Sequence, residues 1–182
     1  YNYAPTYTGP GHASVYTGTT PAYHGIAGND WYDVKSGDTV YCTSDTSVRG
    51  VGADGIEGMT SPSRLLTTTI TDQLQLSTQM KSKVVGIALK DRSSILPAGR
   101  SADAAYWFDG KSGNFITSTW YRTDLPKWAS EFNERKWPAE YLSSPWKTLL
   151  PLDYYTESDP DETPYESTFF GETKPVFPHD LP

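Results

Sequence analysis

The sequence predicts an α/β protein, and three observations carry that prediction. Apolar residues recur at helical spacing behind Ser61. The run Val84-Val85-Gly86-Ile87-Ala88-Leu89 follows directly, and two extended segments joined by a Gly-rich turn come later. A short, continuous, partly β-branched run reads as a strand covered on both faces, and a helix feeding such a strand belongs to an α/β sheet.

Taken in order, the elements are these. Pro10-Gly11 punctuates the first segment, and Gly11 to about Thr19 can form two helical turns with Pro10 near the first helical position and Thr8 or Gly9 at the entrance. Loops and short strands fill Gly25 to Val51, with Thr39-Val40-Tyr41-Cys42 as one strand. Ser61 is placed to cap, and Pro62 to open, a helix carrying Leu65, Leu66, Ile70, Leu74 and Met80 up to about Lys81. Ala104 to Tyr121 reads as a hairpin that turns at Asp109-Gly110-Lys111-Ser112-Gly113. Leu125 to about Arg135 is a further helix with Asp124 as its cap. Beyond Trp146 the pattern dissolves, and the tail is expected to wrap over a surface.

The chain has 182 residues, 14% of them aromatic, and carries a formal net charge of −7. Eight acidic residues against Lys174 alone lie between Pro151 and Pro182, so the whole imbalance sits in the tail. An acidic chain is poorly suited to a phosphate backbone, and no nucleic-acid partner is expected. No apolar stretch reaches the roughly 18–20 residues of a membrane helix. A single cysteine, Cys42, excludes a disulfide within these residues and a cysteine-based zinc site. The opening at Tyr1 and the ending at Pro182 read as the limits of a portion of a longer polypeptide, with residues 1–100 and 101–182 as its two parts.

Two places can hold chemistry. Thr8-Gly9-Pro10-Gly11-His12 stands at the start of the first helix, where free N–H groups and the dipole favour an anion. The Thr8 hydroxyl is there either a surface cap or a nucleophile, and a nucleophile would need a base or a metal to ionise it. His12, four residues on, shares the face of Thr8 as a packed histidine or a ligand, and His24 reads as a turn-stabilising residue. The second place is Lys90-Asp91-Arg92, at the carboxyl end of the apolar strand, where ligands of open α/β sheets collect. Were the extended backbone to continue, Lys90 and Arg92 would face one anion and Asp91 would face away; solvated charge at a strand end is the plainer alternative. Asn29 in Gly28-Asn29-Asp30 is by pattern a turn residue.

Together the stretches Tyr3 to His12, Tyr16-Thr17-Gly18, Pro21 to Trp31 and Val84 to Arg92 resemble the alkaline phosphatase superfamily, in its type I phosphodiesterase/nucleotide pyrophosphatase branch. The likeness is greatest to bacterial phosphate-irrepressible alkaline phosphatases with a threonine nucleophile. It implies part of an α/β/α sandwich, the amino-terminal portion of a catalytic domain. Thr8 matches the nucleophile, which in the family also touches zinc and forms a phosphothreonine intermediate. Asn29 matches the amide that binds a phosphoryl oxygen, and Lys90 and Arg92 the cations that hold a monoester dianion. Two zinc ions are implied for the intact enzyme. Their Asp and His ligands are not matched here, so this segment is expected to bind none and to be nearly inactive alone. A small phosphorylated substrate, the remainder of the parent domain as partner, and a periplasmic or secreted location follow from the same likeness. The rival readings are a phosphodiesterase or pyrophosphatase using the same threonine, and a non-catalytic binding module built on Trp107, Trp120, Trp128, Trp137 and Trp146.

Overall fold

In the computed structural model, residues 3–4 and 6–180 are described. Helix α1 spans Thr8–Thr17, three residues earlier than the sequence suggests, so Thr8 is its first residue and Pro10 its third. A proline within the first turn removes no hydrogen bond that the helix could make. Gly18, at φ 68°, ends the helix by donating its N–H to the Ser14 carbonyl at 3.0 Å. The short helix α2 covers Pro21–His24. Strands β1 (Asp30–Asp33) and β2 (Asp38–Tyr41) form an antiparallel hairpin in which Asp30 lies opposite Tyr41.

The sheet proper is assembled in the order β3, β6, β5, β4, where β3 is Gly50–Val51, β4 Val85–Ala88, β5 Ala104–Asp109 and β6 Asn114–Ser118. Strands β4 and β5 run parallel, and the connection between them is helix α4, Asp91–Ala98. Parallel neighbours require such a crossover. The β5–β6 hairpin is the one expected, and its turn is tied by the Asp109 carboxylate, which accepts the N–H groups of Lys111 and Ser112, each at 3.1 Å.

Three expectations are corrected. Ser61 and Pro62 form a turn rather than a helix start, and helix α3 covers only Ile70–Ser77. Its cap is Thr69, paired with Asp72 in a reciprocal box, and this local bonding outcompetes the apolar spacing that points back to Ser61. Asp72 also accepts the N–H and hydroxyl of Ser101 at 2.8 and 2.7 Å. Strand β4 is not covered on both faces. Val85 and Ile87 are 52% and 58% exposed, because α4 covers one face and no described residue covers the other. The doubly covered strand is β5, with α4 on one side and Tyr106 meeting Trp128 edge to face at 5.1 Å on the other. Finally, helix α5 is Lys127–Glu134, and Asp124 accepts from Thr123 instead of capping it. Pro126 holds the residue before it extended, so the helix can begin only after it.

Helix α4 serves two cores with adjacent residues. Ile95 packs with Ala98, Ala105, Trp107 and Ile116 on the sheet. Leu96 packs with Ala13, Ile26, Cys42 and Leu65, against which Tyr41 and Trp31 lean. Gly86 lets α4 approach the sheet this closely, since a Cβ there would stand 2.4 Å from the Ser94 carbonyl oxygen.

The chain divides into two compact units at Glu134–Arg135. In the second, helix α6 (Trp137–Leu142) precedes a segment organised on aromatic rings. Trp146, Phe169 and Phe177 surround His179, and the backbones of Trp146 and His179 exchange hydrogen bonds of 2.8 and 2.9 Å. The acidic tail therefore has a small core of its own.

Candidate active site

Thr8 stands at the amino end of α1, and the next residue fixes its surroundings. Gly9 donates its N–H to Asn29 Oδ1 at 2.7 Å. Since a backbone N–H can only donate, that oxygen is the accepting end of the amide, and Nδ2 is left as the outward donor. A Cβ on Gly9 would lie 3.1–3.2 Å from the Gly28 carbonyl, Asn29 Oδ1 and Cys42 Sγ, so a larger residue would push this loop apart. The His12 ring donates from Nδ1 to the Thr8 carbonyl at 2.8 Å, which makes it a brace for the first turn. His24 accepts the Ile26 N–H on Nδ1 at 3.1 Å and lies 2.9 Å from Ser14 Oγ through Nε2, so it stabilises its turn as expected.

Lys90 and Arg92 lie beyond the carboxyl end of β4, as placed from the sequence, but the backbone between them is not extended. Lys90 precedes the first turn of α4, and Asp91 and Arg92 are helical. The alternation that would send Asp91 away therefore fails. Its carboxylate instead accepts the Tyr41 hydroxyl at 2.6 Å and the Thr43 hydroxyl at 2.7 Å. Arg92 Nη1 donates to the same Tyr41 oxygen at 2.7 Å. Burial, reinforced by the Asp91 carboxylate, pushes the Tyr41 phenol well above its ordinary range, so it remains a neutral donor. The same two causes push the Cys42 thiol up to about 12, which leaves it inert as a nucleophile.

The two places join through the β1–β2 hairpin. Gly9 bonds the Asn29 side chain, the Asn29 carbonyl accepts the Cys42 N–H at 2.8 Å, and Tyr41, next to Cys42, bonds both Asp91 and Arg92. Beside Arg92 opens a cleft of about 670 Å³ whose wall includes Tyr41, Leu89, Lys90 and Trp107. Sequence reasoning missed Tyr41 and Thr43 and misplaced Asp91. Contacts about 50 residues apart leave no local signal.

Of the five tryptophans named above, Trp128, Trp137 and Trp146 keep exposed surface. Trp107 is 2% exposed in the core, Trp120 lies beneath Arg100, and Trp128 packs on Tyr106. Among the described residues, no group of three or more His, Cys, Asp or Glu side chains is placed to hold a metal ion. Thr8 alone does not fit a zinc site, which takes several such ligands. No helix among them is long and apolar enough to cross a membrane.

The segment thus links a helix-start threonine, the Asn29 side chain, Tyr41 and Arg92 through one run of hydrogen bonds. Residues 1–173 match the type I phosphodiesterase / nucleotide pyrophosphatase family, and the chain belongs to that family. It is 54% identical over 180 residues to a protein of Myroides odoratus named calcium-transporting ATPase, covering 99% of this chain and 33% of that one. Alkaline phosphatase PafA of Elizabethkingia meningoseptica is 50% identical over 179 residues, with 98% and 33% covered. The crystal structure of wild-type PafA superposes with a TM-score of 0.93 over 98% of this chain and 34% of that one. A PafA variant with a threonine changed to serine, and an asparagine, a lysine and an arginine changed to alanine, superposes at 0.94 with 48% identity, over 98% of this chain and 35% of that one. The chain thus has the fold of part of an alkaline phosphatase and spans about a third of the length of these relatives.

Proposed function

We propose that this chain is the nucleophile- and phosphate-binding portion of a phosphatase that hydrolyses phosphate monoesters through a phosphothreonine intermediate. The observation that carries this reading is the Gly9–Asn29 hydrogen bond, which ties the Asn29 amide to the residue that follows the threonine. In the PafA variant the threonine and asparagine are 21 positions apart and the lysine and arginine two apart, the separations of Thr8 from Asn29 and of Lys90 from Arg92. The name alkaline phosphatase, carried by the Elizabethkingia meningoseptica relative, supports the same reading.

On this reading Thr8 Oγ gives up its proton and forms a bond to phosphorus as the P–O bond to the alcohol breaks, and the leaving alcohol oxygen takes up one proton, so the step gains and loses none. Water then cleaves the Thr8–phosphate bond and restores the hydroxyl with release of inorganic phosphate. Asn29 Nδ2 donates to one non-bridging oxygen while Lys90 and Arg92 carry the remaining charge, and such fixed donors stabilise the transition state. The two zinc ions implied by resemblance belong to ligands supplied by the rest of the whole protein. That remainder is also the partner proposed to cover the exposed row Val85, Ile87 and Leu89. A periplasmic or secreted location belongs to the same reading.

The test compares a phosphate monoester with a diester, using the whole protein and its Lys90→Ala, Arg92→Ala double variant. A monoester dianion carries one more charge, so its turnover should fall much further than that of the diester. Equal losses would favour a phosphodiesterase. Robust hydrolysis of p-nitrophenyl phosphate by residues 1–182 alone, with zinc supplied, would refute the assignment of the metal ligands to the rest of the protein.

A further inference from the structure

Arg92 is half-buried, and its aim is set by a group that is not charged. Nη1 donates to the Tyr41 hydroxyl at 2.7 Å, and Cζ stands 5.6 Å from the centre of the same ring. A phenol has one proton to give, and Tyr41 gives it to Asp91 Oδ1 at 2.6 Å. Its oxygen lone pair is thereby turned toward Arg92. The second Asp91 oxygen is fixed by Thr43, which is buried, so the relay is anchored at its far end. Among the described residues, no ion pair within 4.0 Å joins Asp91 to Arg92, although they adjoin in sequence.

We propose that Tyr41 is a positioning residue that holds the Arg92 guanidinium for a phosphate dianion while keeping the Asp91 carboxylate from neutralising it. The inference rests on the role given to Arg92 in the proposed function. A carboxylate bonded directly to Arg92 would orient it equally well, but would cancel its charge and repel the substrate. A neutral phenol between them transmits the geometry and keeps the carboxylate one hydrogen bond further off, where its pull on the guanidinium is weaker than in a direct pair. An arginine left loose would instead lose rotamer freedom on each binding event.

The test is a double-mutant cycle on monoester kcat/KM in the whole protein, using Tyr41→Phe and Arg92→Ala. Tyr41→Phe keeps the ring that packs on the core and removes only the hydroxyl. A loss of about tenfold is expected, in line with one charge-assisted hydrogen bond, shrinking to under about twofold when Arg92 is already alanine. The same fold-loss in both backgrounds would overturn the proposal, because Tyr41 would then act on the fold and not through Arg92. Asp91→Asn, which removes the carboxylate charge without changing side-chain size, carries the same cycle should Tyr41→Phe fail to fold, and additive losses there would also overturn it. If Arg92→Ala alone leaves monoester turnover intact, the error lies in the role of Arg92, and this inference falls with it.

Discussion

Gly9 and Asn29 are joined by a 2.7 Å hydrogen bond that engages the oxygen end of the amide and leaves its Nδ2 end outside that bond. The two ends can be separated by substitution. Asn29→Asp keeps the oxygen that accepts from Gly9 and replaces the outward donor with an acceptor. It should lower monoester kcat in the whole protein by about a hundredfold, the usual weight of one transition-state donor. Its thermal stability should stay near that of the parent. Asn29→Ala should lose the donor and about 1 kcal/mol of stability as well, because the Gly9 N–H is left unpaired. Thermal unfolding alongside steady-state kinetics distinguishes the two.

His24 makes the first unit sensitive to acid. Burial pulls its pKa below the ordinary histidine value, against a smaller opposing effect of its backbone hydrogen bond. The unfolded chain therefore takes up a proton more readily than the folded one. The contribution is fully present above pH about 6.5 and is lost as pH falls through the depressed folded value. Urea titrations should show less stability at pH 5.5 than at pH 7.5 from this group. A His24→Gln variant, less stable at pH 7.5, should show a flatter profile across that window.

Gly86 sets the distance between β4 and α4. A methyl group there meets the Ser94 carbonyl, so Gly86→Ala should cost about 1–3 kcal/mol through overpacking. Because α4 carries Arg92 on its first turn, the substitution should also raise KM for a monoester in the whole protein. Unchanged stability and unchanged KM would mean that the helix can be displaced without consequence.

What was legible in the sequence was local. The β5–β6 hairpin announces itself through Asp109 and its glycines, and the position of Lys90 and Arg92 past an apolar strand follows from the run before them. Thr8 at a helix entrance was readable because proline and glycine mark that entrance. The capping pair Thr69 and Asp72 was readable too, but the longer apolar spacing from Leu65 onward drew the helix start back to Ser61. Coverage of β4 was not readable, because composition records an apolar strand and not which neighbours lie over it. The relay from Thr43 through Asp91 and Tyr41 to Arg92 depends on a hairpin and a helix meeting in space, and no spacing rule reaches that far.

Ile95 and Leu96 plug one short helix into two separate apolar layers, three and four residues beyond Arg92. The guanidinium thus rides on a beam clamped at both sides. Trimming either clamp would tilt the beam and displace its charged tip, so a change made deep in the interior, remote from any solvent, would register as altered affinity for an anion.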